Sequence, residues 1–132
     1  MYMKNQVISS KAPQAPNILS QAIESNGLIF VSGQIHNTHT GTLIEGSVNK
    51  KMEQIFQNIK EILSEANSNL NNIVKVTIYV TEMSQMEEIN DIYPTFFTEP
   101  YPAREAICVK ELPLNATIEI SVIATTPFNP HG

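Results

Sequence analysis

Between residues 48 and 80 the chain changes its period. Val48, Met52, Ile55, Phe56, Ile59, Ile62 and Leu63 recur at spacings of three and four, separated by lysines, glutamates and glutamines. That is a helix with one apolar stripe. Ser47 stands where an N-cap belongs, and the pattern dissolves in the asparagine-rich stretch Asn67 to Asn72. Directly afterwards Val74, Val76, Ile78 and Val80 alternate with Lys75, Thr77 and Tyr79, the signature of a half-buried strand. A single stripe must be buried against another element, and a sheet containing this strand supplies the face.

The rest of the chain extends this theme. Gln6 to Ser9, Ser20 to Glu24 and Leu28 to Gln34 read as short strands, the last bounded by Asn26-Gly27 and Gly33. Thr40-Gly41 marks a tight turn in a polar loop that runs to about Gly46. Ser84 with Glu87 has the spacing of a capping box, and Met86, Ile89, Ile92, Tyr93, Phe96 and Phe97 form one apolar side after it, interrupted by Pro94. Arg104 to Lys110 and Ala116 to Ala124 read as two final strands, expected to pair as an antiparallel hairpin about Leu112-Pro113-Leu114-Asn115. The order β-β-β-α-β-α-β-β predicts an α+β fold, one sheet with two helices on one face, in a single domain over residues 1–132. By alternation the uncovered face carries Thr77, Tyr79, Arg104, Ala106, Cys108, Glu119, Ser121 and Ile123. That mixture is too apolar for a solvated surface and points to contact with another subunit.

Composition narrows the function classes. With 42% hydrophobic and 16% charged residues the chain is an ordinary globule. No apolar run approaches the roughly 20 residues of a membrane span, and the N-terminus shows no apolar signal core. A net charge of −5 argues against nucleic acid as a partner. Cys108 is the single cysteine, which leaves no internal disulfide and fits a reducing compartment, the cytoplasm.

The chemistry centres on Arg104, the one arginine against seven lysines. Its guanidinium fork matches a carboxylate bidentately and keeps its charge. In the expected hairpin Arg104 lies near Ser121 on the uncovered face, with Glu119 diagonal to it, so that a carboxylate could position water beside a bound acid; an ordinary salt bridge is the alternative. His36 and His39 lack carboxylate or cysteine neighbours and read as loop histidines, so no metal site is expected. Cys108 has no histidine at motif distance, and Ser32-Gly33-Gln34 forms neither a nucleophile elbow nor a phosphate loop. Phe30, Phe96 and Phe97 read as core.

Pro102-Ala103-Arg104, then Leu112-Pro113, then Ile118-Glu119-Ile120 resemble the C-terminal signature of the Rid family, the YjgF-type proteins of which some are called endoribonuclease L-PSP. Further blocks match in order: Ala12-Pro13, Ser20-Gln21-Ala22, Phe30 to Ile35, Asn58-Ile59-Lys60, Val74 to Thr77, and Ile89 to Tyr93. The resemblance implies a chorismate-mutase-like fold assembled as a homotrimer with clefts between subunits. It implies hydrolysis of reactive 2-imino or enamine acids to 2-oxo acids and ammonia, without cofactor. Arg104 would bind the substrate carboxylate, Glu119 would help activate water, and Asn90, Ser32 and Gly33 would line the cleft. Leu19 stands where the family's substrate-contacting tyrosine is found, Ala106 where the family has a cysteine two residues after the arginine, and His36 where proline is common; Leu19 and Ala106 would line the substrate site. A carboxylate-binding regulatory trimer and an endoribonuclease are the competing functions.

Overall fold

The computed structural model describes residues 3–127. Six strands, β1 (Asn5–Val7), β2 (Ala22–Ser25), β3 (Leu28–Ile35), β4 (Ile73–Val80), β5 (Ala103–Cys108) and β6 (Ile118–Thr125), form one mixed sheet in the order β1-β2-β3-β6-β4-β5. Helices α1 (Val48–Glu65) and α2 (Met86–Ile92) cover one face. The fold is thus the expected α+β layer. Among the described residues no helix is long and apolar enough to cross a membrane.

Local chemistry accounts for most boundaries. Asn26 and Gly27 adopt φ of 52° and 81° and turn β2 into β3, a geometry whose twist suits an antiparallel hairpin. The Ser47 hydroxyl accepts the Lys50 N–H at 3.2 Å and starts α1. From α1, Met52, Ile55, Phe56, Ile59, Ile62 and Leu63 are buried in one core with Ile29 and Val31, with Val76, Ile78 and Val80, and with Ile118, Ile120 and Val122. Each such side chain contributes roughly 1.5–3 kcal/mol by leaving water.

The second helix differs in detail from expectation. Met83–Gln85 already forms a 3₁₀ turn ahead of α2, so Ser84 lies within a helical turn rather than at its start. Its hydroxyl turns back to Glu82, and the capping box with Glu87 does not form. Pro94 has no N–H for the helix ladder; α2 ends at Ile92 and tightens into the 3₁₀ turn Tyr93–Phe96.

The expected hairpin of the last two strands is absent. β5 runs parallel to β4, with Arg104 beside Val76 and Ala106 beside Ile78, while β6 enters antiparallel between β3 and β4. The parallel register gives Arg104, Ala106 and Cys108 the parity of Val76, Ile78 and Val80, which is the helix-covered side. Ala106 accordingly packs against the core, whereas Ile107, expected inside, is 40% exposed on the open face beside Tyr79. Thr77, Tyr79, Glu119, Ser121 and Ile123 keep their place on the open face. Phe30 joins them opposite Ile123, 44% exposed rather than core.

His36 lies in the loop after β3, but it is not a surface residue. It is 1% exposed. Its Nδ1 donates to the Ile44 carbonyl at 2.8 Å, and its Nε2 accepts the Thr117 N–H at 3.0 Å, which ties the loop after β3 to the start of β6. Only the neutral ring can do both.

Burial accordingly holds the His36 pKa below 6.5, outweighing the upward pull of the Ile44 carbonyl. As pH falls below 6.5 the unfolded chain takes up a proton that the folded ring resists, so stability present above that value is lost toward the folded pKa. Glu119, raised from 4.5 by burial, acts with the opposite sign in a window that opens at the acid end. Thermal melts between about pH 7.5 and 5 should therefore show a decline in Tm that is smaller in His36→Gln, whose Tm at neutral pH is lower. Equal slopes in the two proteins would remove the role given to this ring.

Candidate functional site

Glu119 sits in a recess on the open side of the sheet. β3 is irregular between Val31 and Gln34, where its register against β6 shifts, and this bulge brings Gly33 against Glu119. A Cβ on Gly33 would collide with the carboxylate, lying 2.8 Å from its Cδ. Only glycine leaves the acid its place there. The recess is about 300 Å³ and is also lined by Leu19, Ser32, Ile35, Pro113 and Leu114. Partial burial raises the Glu119 pKa above 4.5, toward the range in which a carboxyl group can exchange protons with a substrate.

Buried hydrogen bonds fix the walls. The Gln21 side chain accepts the Ser9 N–H at 2.7 Å and donates to the carbonyls of Ser9, Ala12 and Pro13, which holds the 9–13 segment against the sheet. The Ser32 hydroxyl donates to the Ser20 carbonyl at 2.7 Å, and the Ser32 N–H to the Gln21 carbonyl at 2.9 Å. Ser32 thus anchors the segment before β2 that carries Leu19, and its hydroxyl proton is already engaged.

Arg104 belongs to a second group, at the other side of the sheet. Its Nη1 donates to Asn90 Oδ1 at 2.8 Å, and its guanidinium lies 4.8 Å from the centre of the Tyr93 ring. Asn90 and Tyr93 are three apart, so α2 and the turn after it present both to the same side. Tyr93 is buried and its hydroxyl has no hydrogen-bond partner among the described residues; burial raises its pKa, and the charge of Arg104 lowers it by less. The remaining Arg104 donors stay available, because the one salt bridge among the described residues joins Lys75 to Glu105. The cationic fork is held open at the sheet edge.

The expected pairing of Arg104 with Glu119 across one hairpin is therefore corrected, and with it the alternative of a salt bridge within the chain. β4 separates their strands, and they lie on opposite faces. Of the site residues read from sequence, Glu119, Gly33, Ser32 and Leu19 share the recess, while Arg104 and Asn90 meet at the edge with Ala106 on the same strand face. Sequence reasoning misses Tyr93 as a support for Arg104, since its spacing matches core residues equally well; its distance of three from Asn90 is the available signal. Leu114, at φ 57°, reads in the sequence only as part of a connecting loop. No three His, Cys, Asp or Glu side chains converge as metal ligands among the described residues.

Known proteins share this fold. A family model described as Endoribonuclease L-PSP matches residues 9–126. The chain is 40% identical over 125 residues to Reactive Intermediate Deaminase A, chloroplastic, of Arabidopsis thaliana, covering 93% of this chain and 67% of that one. It is 33% identical over 124 residues to a 2-iminobutanoate/2-iminopropanoate deaminase of Dermatophagoides farinae, covering 93% and 97%. The crystal structure of yeast Mmf1 superimposes with a TM-score of 0.91 at 41% identity, over 95% of this chain and all of that one. The match spans both halves of the site and nearly every strand between them: this chain belongs to the Rid family, the family of the Endoribonuclease L-PSP model.

Proposed function

We propose that this protein hydrolyses reactive 2-imino and enamine acids, such as 2-aminoacrylate, 2-iminopropanoate and 2-iminobutanoate, to 2-oxo acids and ammonia. The site is a cleft between copies of the chain in a homotrimer. The observation that carries this reading is the split site. An uncompensated guanidinium fork stands at one edge of the sheet, and a half-buried carboxylate in a recess on the opposite face. The two complement each other only when a second copy brings its edge to the recess. Phe30 and Ile107 leave the open face apolar enough to bury against such copies. The names of two relatives support the same chemistry.

In this arrangement Arg104, steadied by Asn90 and Tyr93, binds the carboxylate and presents the C=N carbon to the neighbouring recess. Glu119 takes a proton from water as the oxygen attacks that carbon and the π pair moves to nitrogen. It returns this proton to nitrogen to give a carbinolamine, then relays the carbinol O–H proton to the same nitrogen as the C=O forms and the C–N bond breaks, leaving the 2-oxo acid and ammonia. No metal or organic cofactor takes part in these steps. Asn90 acts through Arg104 rather than on the substrate. A regulatory trimer that binds small carboxylates is the second reading, favoured by Leu19, whose side chain offers the recess no hydroxyl. The net charge of −5 disfavours ribonuclease activity. Exposed, unpaired Cys108 suits a reducing compartment such as the cytoplasm.

Two substitutions test the halves separately, with imine generated in situ by a pyridoxal-phosphate dehydratase and 2-oxo acid release as the readout. Arg104→Lys should lose nearly as much as Arg104→Ala, at least about tenfold in kcat/KM, because an ammonium offers neither the fork nor the flat face that stacks on Tyr93. Both variants should melt within a few degrees of the parent, since Arg104 is exposed. Full activity in well-folded Arg104→Ala would refute the carboxylate assignment. If the parent binds 2-oxo acids, both Arg104 variants bind them more weakly, and the parent does not accelerate hydrolysis, the regulatory reading holds.

Gly33→Ala addresses the recess. Gly33 is exposed and its φ is not in the left-handed region, so the backbone accepts alanine and the Glu119 carboxylate must move instead. A displacement of that size should reduce kcat by about tenfold or more with Tm little changed. Parent-level kcat in this variant would show that the carboxylate's seat on Gly33 does not matter to the reaction.

A further inference from the structure

Two exposed leucines flank the recess that holds Glu119. Leu19 is 46% exposed and Leu114 is 65% exposed, and between them the wall continues with Ile35 and Pro113. An exposed leucine alone is ordinary. Two on one concavity are not, and Leu114 is held there by a backbone at φ 57°, followed by Asn115 at φ 61°. Asparagine tolerates that conformation, but leucine rarely adopts it. Such conformations persist where the surrounding structure determines them, often at ligand sites. The consequence here is an aliphatic rim around a carboxylate.

Charge narrows what can enter. Glu119 is the only ionisable side chain among the lining residues, so the recess offers nothing to pair with a second acidic group. A ligand whose carboxylate is taken by Arg104 of a second copy, and whose reacting carbon faces Glu119, has one substituent left. Among these walls it would meet Leu19, Ile35 and Leu114. The recess of about 300 Å³ has room for several carbons beyond a methyl group.

We propose that Leu19 and Leu114 set specificity, and that the preferred substrates are 2-imino acids with neutral, branched aliphatic side chains of about four carbons, as would arise by two-electron oxidation of leucine-like amino acids. This rests on the reading that the recess receives the substrate. Each buried methylene strengthens binding about fourfold, so three extra carbons, even partly covered, outweigh the single methyl of the smallest substrate. An acidic side chain is rejected by Glu119.

The test uses the intact protein and stable 2-oxo acids, which need no catalysis to bind. Calorimetric titration should show 4-methyl-2-oxopentanoate binding at least about tenfold more tightly than pyruvate, and 2-oxoglutarate more weakly than either. Leu114→Ser and Leu19→Ser should each shrink the first ratio by about threefold or more, with circular dichroism confirming that both variants are folded. Equal or tighter binding of pyruvate overturns the proposal, as does tighter binding of 2-oxoglutarate, a ratio unchanged in both variants, or no binding of any of the three. Rates on imines made in situ from leucine and alanine separate the two levels. If the binding preference holds but neither imine is hydrolysed faster than in water, the deaminase reading falls and the specificity of the recess stands.

Discussion

Strand β6 does more to shape this molecule than any other element. It lies between β3 and β4 and pairs with both, so the sheet is continuous only through it. Its alternation is strict: Ile118, Ile120, Val122 and Ala124 are buried, while Glu119, Ser121 and Ile123 face the other way. With β6 in the middle, β5 is left at the edge beside β4, and the parallel register fixes which way Arg104 looks. The cation and the carboxylate are thereby placed on opposite faces. A one-residue slip of β6 would carry Glu119 to the other face, but it would also turn the apolar set of β6 out of the core.

The supports around each half are local and polar. Gln21 fastens the N-terminal segment with four hydrogen bonds, Ser32 anchors the wall that carries Leu19, and His36 ties the loop after β3 to β6 two residues before Glu119. At the other edge Asn90 and the Tyr93 ring hold the guanidinium. The contacts of Gln21 and His36 are buried, and such contacts specify one geometry because leaving them unpaired is costly. The wall that carries Leu19 and the loop before β6 are thus held by hydrogen bonds within the chain.

Much of the fold is legible in the residues. The three-and-four spacing of α1, its Ser47 cap, the Asn26-Gly27 turn and the alternation of β4 and β6 all stand in the structure as read. Failure begins where the signal is shared between two outcomes. Neighbouring strands usually pair, so β5 and β6 suggest a hairpin, yet the crossover through α2 sends β5 parallel to β4. In β5, Ile107 looks like an inward residue because it is the largest apolar side chain, but at the sheet edge it faces the open side. The same ambiguity misplaces Phe30. His36 carries no sequence signal at all, because its partners are the backbone groups of Ile44 and Thr117. The site residues are found by resemblance more than by spacing, and their division between two faces emerges only from register.

The central claim is that each reaction cleft draws Arg104 from one copy and Glu119 from another. Complementation measures this directly. Arg104→Ala and Glu119→Gln chains, each inactive alone, are unfolded together in equal amounts and refolded into mixed oligomers. If the halves come from different copies, about one cleft in four of a randomly mixed trimer receives both intact groups, so imine hydrolysis should return to about a quarter of the parent rate. Mixed oligomers that form in good yield and remain as inactive as the single variants would contradict the account.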